Sequence, residues 1–327
     1  MTRFRLILGA IVLAAIAYSA IWFTIAFDAR DMVKARLADW RAAGATARVG
    51  AVDLGGFPYR IRLDLRDLRL DSKNDGIRFK SETARLISHV WTPGHWMADA
   101  TGTTLHMFDG EIRITDDSLR ASLRRRDGFM VMVLDSGVRD DTRLTRFPGL
   151  AGPANLHDAT LFLRLPQTAK GRGTANGTDT DTGDGDDSGA LFADRLADFK
   201  LVAAWDGGRL DMLGRLTGAG PLGWSRRRLA RWRDSGGLLE LDSLTLRLGT
   251  GQITGNGSLS LDEDLRPLGT LSLDYSGGDV LADGLGRAFG LKAAPVLSDG
   301  EGSLSVMMQG GQVTVGNTRL TALPPIL

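Results

Sequence analysis

The side chains able to do chemistry are few and scattered. There are four histidines among 327 residues and no cysteine. Thiolate nucleophiles, thiolate metal sites and disulfides are therefore excluded. His89 and His95 flank Trp91, Pro93 and Trp96 in a segment read here as a loop, and a metal there would need further ligands that spacing does not supply. His106 and His157 stand apart from them. Asp179 and Asp181 have the spacing of a calcium loop, but Ala190 stands where the closing bidentate glutamate belongs. Gly284, Gly286 and Gly290 imitate a dinucleotide fingerprint with one residue too many, in a helical segment that follows no strand. The nucleophile elbow, the phosphate loop and the zinc helix H-E-x-x-H are absent from the sequence. Carboxylates are spread through turns and strand faces, with no acid–base pair singled out. The expectation is a chain that is not an enzyme, with no catalytic residue, no cofactor and no metal.

One cluster differs. Arg226, Arg227, Arg228, Arg231 and Arg233 lie between Trp224 and Gly236, with Ser225 placed to cap a helix and Leu229 and Trp232 on one helical face. A short basic amphipathic helix could meet anionic lipid head groups. The plainer reading is a helix that packs Leu229 and Trp232 on the body of the protein and leaves its arginines in water. With 40 basic and 39 acidic residues and no stacking platform beside the arginines, nucleic acid is not an expected partner.

The elements that would position these groups are mostly strands. Tyr59, Ile61, Leu63 and Leu65 alternate with charged residues, and Leu68 and Leu70 fall back into phase only if the strand bulges near Arg66 and Asp67. Leu244, Leu246 and Leu248, then Leu259 and Leu261, then Leu271, Leu273 and Tyr275, then Leu304 and Val306 repeat the alternation. Turn dipeptides separate such runs, including Asp75-Gly76, Asp127-Gly128 and Gly310-Gly311. Glycine, at 42 residues, stands near twice its usual share of about 7%. The predicted class is mainly β: a β-rich α+β chain with one or more large curved antiparallel sheets and short helices over 28–43, 225–234 and 279–289.

The amino end predicts where this body sits. Leu6 to Phe27 carries no charge, long enough to cross a hydrocarbon core of about 30 Å. A cleaved signal peptide is the competing reading, with Ala17, Tyr18 and Ser19 as a passable site. The run continues past it through Ile21, Trp22, Phe23, Ile25 and Phe27, and its length favours an uncleaved anchor. Arg3 and Arg5 precede the span and place the remainder on the far side. In a bacterium this is a single-pass inner-membrane protein with a periplasmic body. Residues 1–27 form the anchor, 28–169 a first β-rich region, 170–190 a disordered acidic linker of Gly, Thr and Asp, and 191–327 a second β-rich region.

Several spaced motifs point to a family. Gly55-Gly56-Phe57-Pro58-Tyr59, Trp232-Arg233-Asp234-Ser235-Gly236-Gly237, Leu265-Arg266-Pro267-Leu268-Gly269 and Pro324-Pro325 resemble the alphaproteobacterial envelope proteins grouped as domain of unknown function 2125. That resemblance covers almost the whole chain and implies no catalytic residues. In sheet rhythm and single anchor the chain is also similar to the AsmA-like proteins, a likeness that implies lipid homeostasis between bacterial membranes. The strands with one apolar face outnumber the helices available to cover them, and an uncovered apolar face normally marks a binding surface. The expected groove is lined by Tyr59, Ile61, Leu63, Leu65, Leu244, Leu246, Leu248, Leu271 and Leu273, holding phospholipid, another envelope lipid or another apolar partner. The alternative is an envelope scaffold that binds other envelope proteins and no lipid.

Overall fold

The computed structural model describes residues 2–72, 76–107, 110–126, 128–136, 142–145, 154–166, 195–218, 225–289, 297, 300–315, 318–322 and 325. The chain starts with a single helix, α1 (Thr2–Ala42), that runs through both the apolar segment and the expected 28–43 helix without a break. Nothing between Phe27 and Asp28 stops it, because Asp28 falls where the backbone already has its intrahelical partners. One face of α1, at Trp22, Ala26, Ala29 and Leu37, is buried; the spacing of three and four residues is that of a helix stripe.

Among the described residues seventeen strands form one antiparallel sheet. β1 (Thr46–Arg48) and β2 (Ala51–Gly55) share one edge of β3 (Arg60–Ser72). The order continues through β4 (Ile77–His89), β5 (Thr92–Met107) and β6 (Gly110–Arg126). β7 (Phe129–Asp135) and β8 (Thr142–Thr145) pair with different stretches of β6 and both pair with β9 (Ala154–Pro166). Next come β10 (Arg195–Trp205), β11 (Gly208–Thr217), β12 (Leu238–Leu248), β13 (Gly251–Leu261), β14 (Pro267–Ser276), β15 (Glu301–Gln309), β16 (Gln312–Val315) and β17 (Thr318–Ala322). Consecutive strands pair with each other except β1 with β2 and β7 with β8, which lie along different stretches of shared neighbours, and the sheet stays open. The 170–190 segment and its Asp179–Asp181 motif lie outside the described residues. The strands that flank it, β9 and β10, are hydrogen-bonded to each other, so the regions on either side of it are one sheet.

Two interruptions keep the apolar face in phase. At Asp67, φ +51°, both Arg66 and Asp67 turn to solvent, and Leu68 rejoins the core that holds Leu65. In β12 the register slips between Leu241 and Leu244, which moves the apolar positions from odd to even numbers on the same face. Helix α2 (Arg226–Asp234) follows β11 and α3 (Gly278–Phe289) follows β14, both close to their expected bounds; contrary to expectation the segment of Gly284 and Gly286 does follow a strand, but both glycines lie within the helix and not in the turn that opens it. His89 and His95 lie in β4 and β5 across a tight turn at Val90 and Trp91. The segment read as a loop is a hairpin, because the aromatic and β-branched residues around Pro93 pair along the edge of β4.

Candidate functional site

The register of the strands assembles a surface that no single strand reveals. Residues directly opposite in an antiparallel pair share a face. Leu63 faces Leu86, which faces Ala98, then Ala121, Leu134 and Leu161. The same row continues through Leu201, Met212, Leu244, Gly255, Leu273 and Leu304. Every position from β3 to β15 in this row is apolar or glycine. A parallel row runs from Ile61 through Trp96, Leu123, Met132, Leu163, Phe199, Leu241 and Leu271 to Val306. Ser88, Gly214 and Gly257 are the members without a large apolar side chain, and Ser88 satisfies its hydroxyl on the carbonyl of His95 at 2.8 Å. The glycines are not incidental. A Cβ on Gly255 would come within 2.6 Å of the Leu273 side chain, and one on Gly257 within 2.8 Å of Leu271, so these leucines lie down across β13.

The opposite face carries charge. Asp64, Arg85, Asp99, Arg120 and Asp135 occupy successive register positions, an alternating ladder across five strands. Arg85 donates to Asp64 at 2.7 Å and Arg62 reaches the other oxygen at 2.9 Å. The hydrogen bond to Asp64, with that carboxylate's charge and the field of Asp99, holds the Arg85 guanidinium more firmly protonated still. Further along the sheet Arg209 donates to Asp211, whose carboxyl is pushed below its ordinary range chiefly by that bond. The sheet is amphipathic over nearly its whole width.

Among the described residues, helices cover the apolar face only near its two ends. Ile61, Leu63 and Leu65 are buried beneath Trp22, Ala26 and Ala29 of α1. Leu248 and Leu273 are buried with Leu281 of α3, and Leu244, Leu246 and Leu271 pack partly buried against that cluster. Leu229 of α2 is buried with Leu261 and Leu265. Tyr59 lies outside the strands, in the β2–β3 turn, and is exposed. The residues expected to line a groove, Tyr59 apart, therefore form the helix-covered flanks. Between them, Leu134, Leu161, Leu201 and Met212 are half-buried and belong to none of the three buried clusters of the described residues. Sequence spacing does not single these out. Phe129 to Leu134 is apolar at every position, and only strand pairing tells which members share a face.

The arginine helix forms as its residues dictate. The Ser225 side chain accepts from the Arg228 amide at 3.3 Å, and Gly236 and Gly237 close the last turn onto Arg233 and Trp232. Trp232 donates its indole N–H to the Thr217 carbonyl at 2.7 Å. Arg233 is committed inward: it donates to the carbonyls of Asp262 and Glu263 and pairs with Asp234. Arg226, Arg227 and Arg231 are exposed, and Arg228 is half-buried.

The histidines remain separate. His95 shares a hydrogen bond with Ser122 at 3.1 Å, His89 stacks on Trp91, His106 approaches Glu111 at 3.3 Å and His157 meets Asp206 at 2.5 Å. The His157 bond, seconded by Asn155, lowers the Asp206 carboxyl below its usual range. Among the described residues no three His, Asp or Glu side chains are grouped as a metal site would require. The family model whose description reads "Uncharacterized protein conserved in bacteria (DUF2125)" matches residues 22–324. No curated protein and no solved structure matches the chain.

Proposed function

The chain belongs to the DUF2125 family of bacterial proteins, and from that premise we propose a non-enzymatic envelope protein that holds lipid acyl chains on its apolar sheet face. It is anchored in the inner membrane by α1, with the sheet on the periplasmic side. The observation that carries this reading is the centre of the apolar row, which no described helix covers. From Ala121 to Met212 the row crosses β6, β7, β9, β10 and β11, about 19 Å at roughly 4.8 Å per strand. An acyl chain reaching half the depth of a 30 Å hydrocarbon core is about 15 Å long. One chain laid across the strands fits the interval, with α1 closing one side and the α2–α3 flank the other. Uncovered apolar area of that extent is unusual in a chain that has no partner for it.

Native mass spectrometry of the full-length protein, released gently from detergent, tests the reading. The wild type is expected to retain phospholipid. A variant with Leu201→Glu and Met212→Glu is expected to lose it with an unchanged far-ultraviolet spectrum, because both positions are half-buried and tolerate a charge facing water. A lipid-free wild type, or equal lipid on both proteins, overturns it. A lipid-free wild type that brings down defined envelope proteins favours a scaffold instead.

A further inference from the structure

The anchor helix and the sheet meet at a fixed depth. The Tyr18 hydroxyl donates to the Pro58 carbonyl at 2.5 Å, and the Trp22 indole N–H donates to the Arg60 carbonyl at 3.3 Å. Near its other end α1 is tied to β1, where Arg41 donates to the Ala47 carbonyl. The helix therefore runs along β3 from its start toward its end, and residues before Tyr18 project past the end of the sheet that carries the β2–β3 turn. Those residues are exposed, apolar and uncharged from Leu6 onward.

A span of about 20 residues is needed to cross the hydrocarbon core, which from Leu6 reaches Ile25. Tyr18 and Trp22 lie about 10 Å and 5 Å short of that point at 1.5 Å per residue. The turn they hold, Phe57-Pro58-Tyr59, must share that depth. Its side chains suit it: Phe57 is 52% exposed and Tyr59 68% exposed. Phe57 stacks with Phe23 and meets Trp22 edge-on, and Phe23 stacks on Phe27, so turn and helix present one aromatic surface. The neighbouring turn at this end of the sheet, held by the pairing of Arg60 with His89, carries Trp91, 63% exposed. Exposed Arg124, Arg125 and Arg126 end β6 at the same level.

We infer that this end of the sheet is a second membrane contact: Phe57, Tyr59 and Trp91 dip just below the interface of the leaflet where α1 emerges, and the long side chains of Arg124 to Arg126 reach up to its anionic head groups. Aromatic rings with one polar end favour that zone, and basic residues flanking them favour anionic lipid. The contact fixes the tilt of the sheet on its anchor. The inference rests on α1 spanning the bilayer and is independent of any ligand on the apolar row.

The chain has no cysteine, so one introduced thiol is the only label site. Full-length protein carrying Ile11→Cys, Tyr59→Cys, Trp91→Cys or Thr250→Cys, each spin-labelled, is reconstituted into vesicles of phosphatidylethanolamine and phosphatidylglycerol. Collision with dissolved oxygen is compared with collision with a water-soluble nickel chelate. Ile11 in lipid, with Tyr59 and Trp91 shielded from nickel and Thr250 open to it, is the expected pattern. Ile11 in lipid with Tyr59 and Trp91 as open to nickel as Thr250 overturns the second contact and leaves the anchor standing. Ile11 open to nickel overturns both.

Discussion

Arginine shows how a residue type divides by environment. Arg233 spends its guanidinium on two backbone carbonyls and Asp234, whereas Arg226 and Arg227, two turns of sequence away, are exposed on the same helix. Arg233→Ala is expected to destabilise the fold by about 1.5–3 kcal/mol, the range for hydrogen bonds to a charged group. Arg226→Ala and Arg227→Ala are expected to change stability by no more than about 0.5 kcal/mol. Denaturant unfolding of the three variants measures the difference, and equal losses would contradict this partition. The helix itself was legible from Ser225, Leu229, Trp232 and Gly236, because capping and side-chain spacing are local. The inward turn of Arg233 was not, since its acceptors lie about 30 residues further along the chain.

At the scale of elements the decisive contact is helix against sheet. Ala26 is fully buried where α1 crosses β3, and a larger side chain there has nowhere to go. Ala26→Leu is expected to cost about 1–3 kcal/mol and to lower the thermal midpoint by several degrees, while Ile16→Leu, exposed on the projecting part of α1, is expected to leave it unchanged. Circular dichroism of the β signal on heating the full-length protein checks both. The apolar run and the strand alternation of Ile61, Leu63 and Leu65 were each visible in the sequence. That the former covers the latter was not, because a stretch apolar on every side carries no sign of which stripe faces the sheet.

At the scale of the whole molecule, the described residues are built on a single amphipathic sheet. Its class and the phase slip at Asp67 could be read from period-two alternation, and the α2 and α3 bounds from caps and glycines. The continuous row from Leu63 to Leu304 could not, because it depends on the pairing of a dozen strands, and a shift of one residue in any of them would send its members to the charged face. For the same reason the strand residues expected to line a groove fall on the covered flanks, and the centre that no described helix covers falls on Leu134, Leu161, Leu201 and Met212. The central claim is that this centre holds acyl chains while the face behind it does not. Photo-crosslinking in living cells tests it most directly, with benzoyl-phenylalanine placed at Met212 on the apolar face or at Thr245, on the opposite face one strand away. A phospholipid adduct from Met212 and none from Thr245 is the expected result. No adduct at Met212, or equal adducts from both faces, would contradict it.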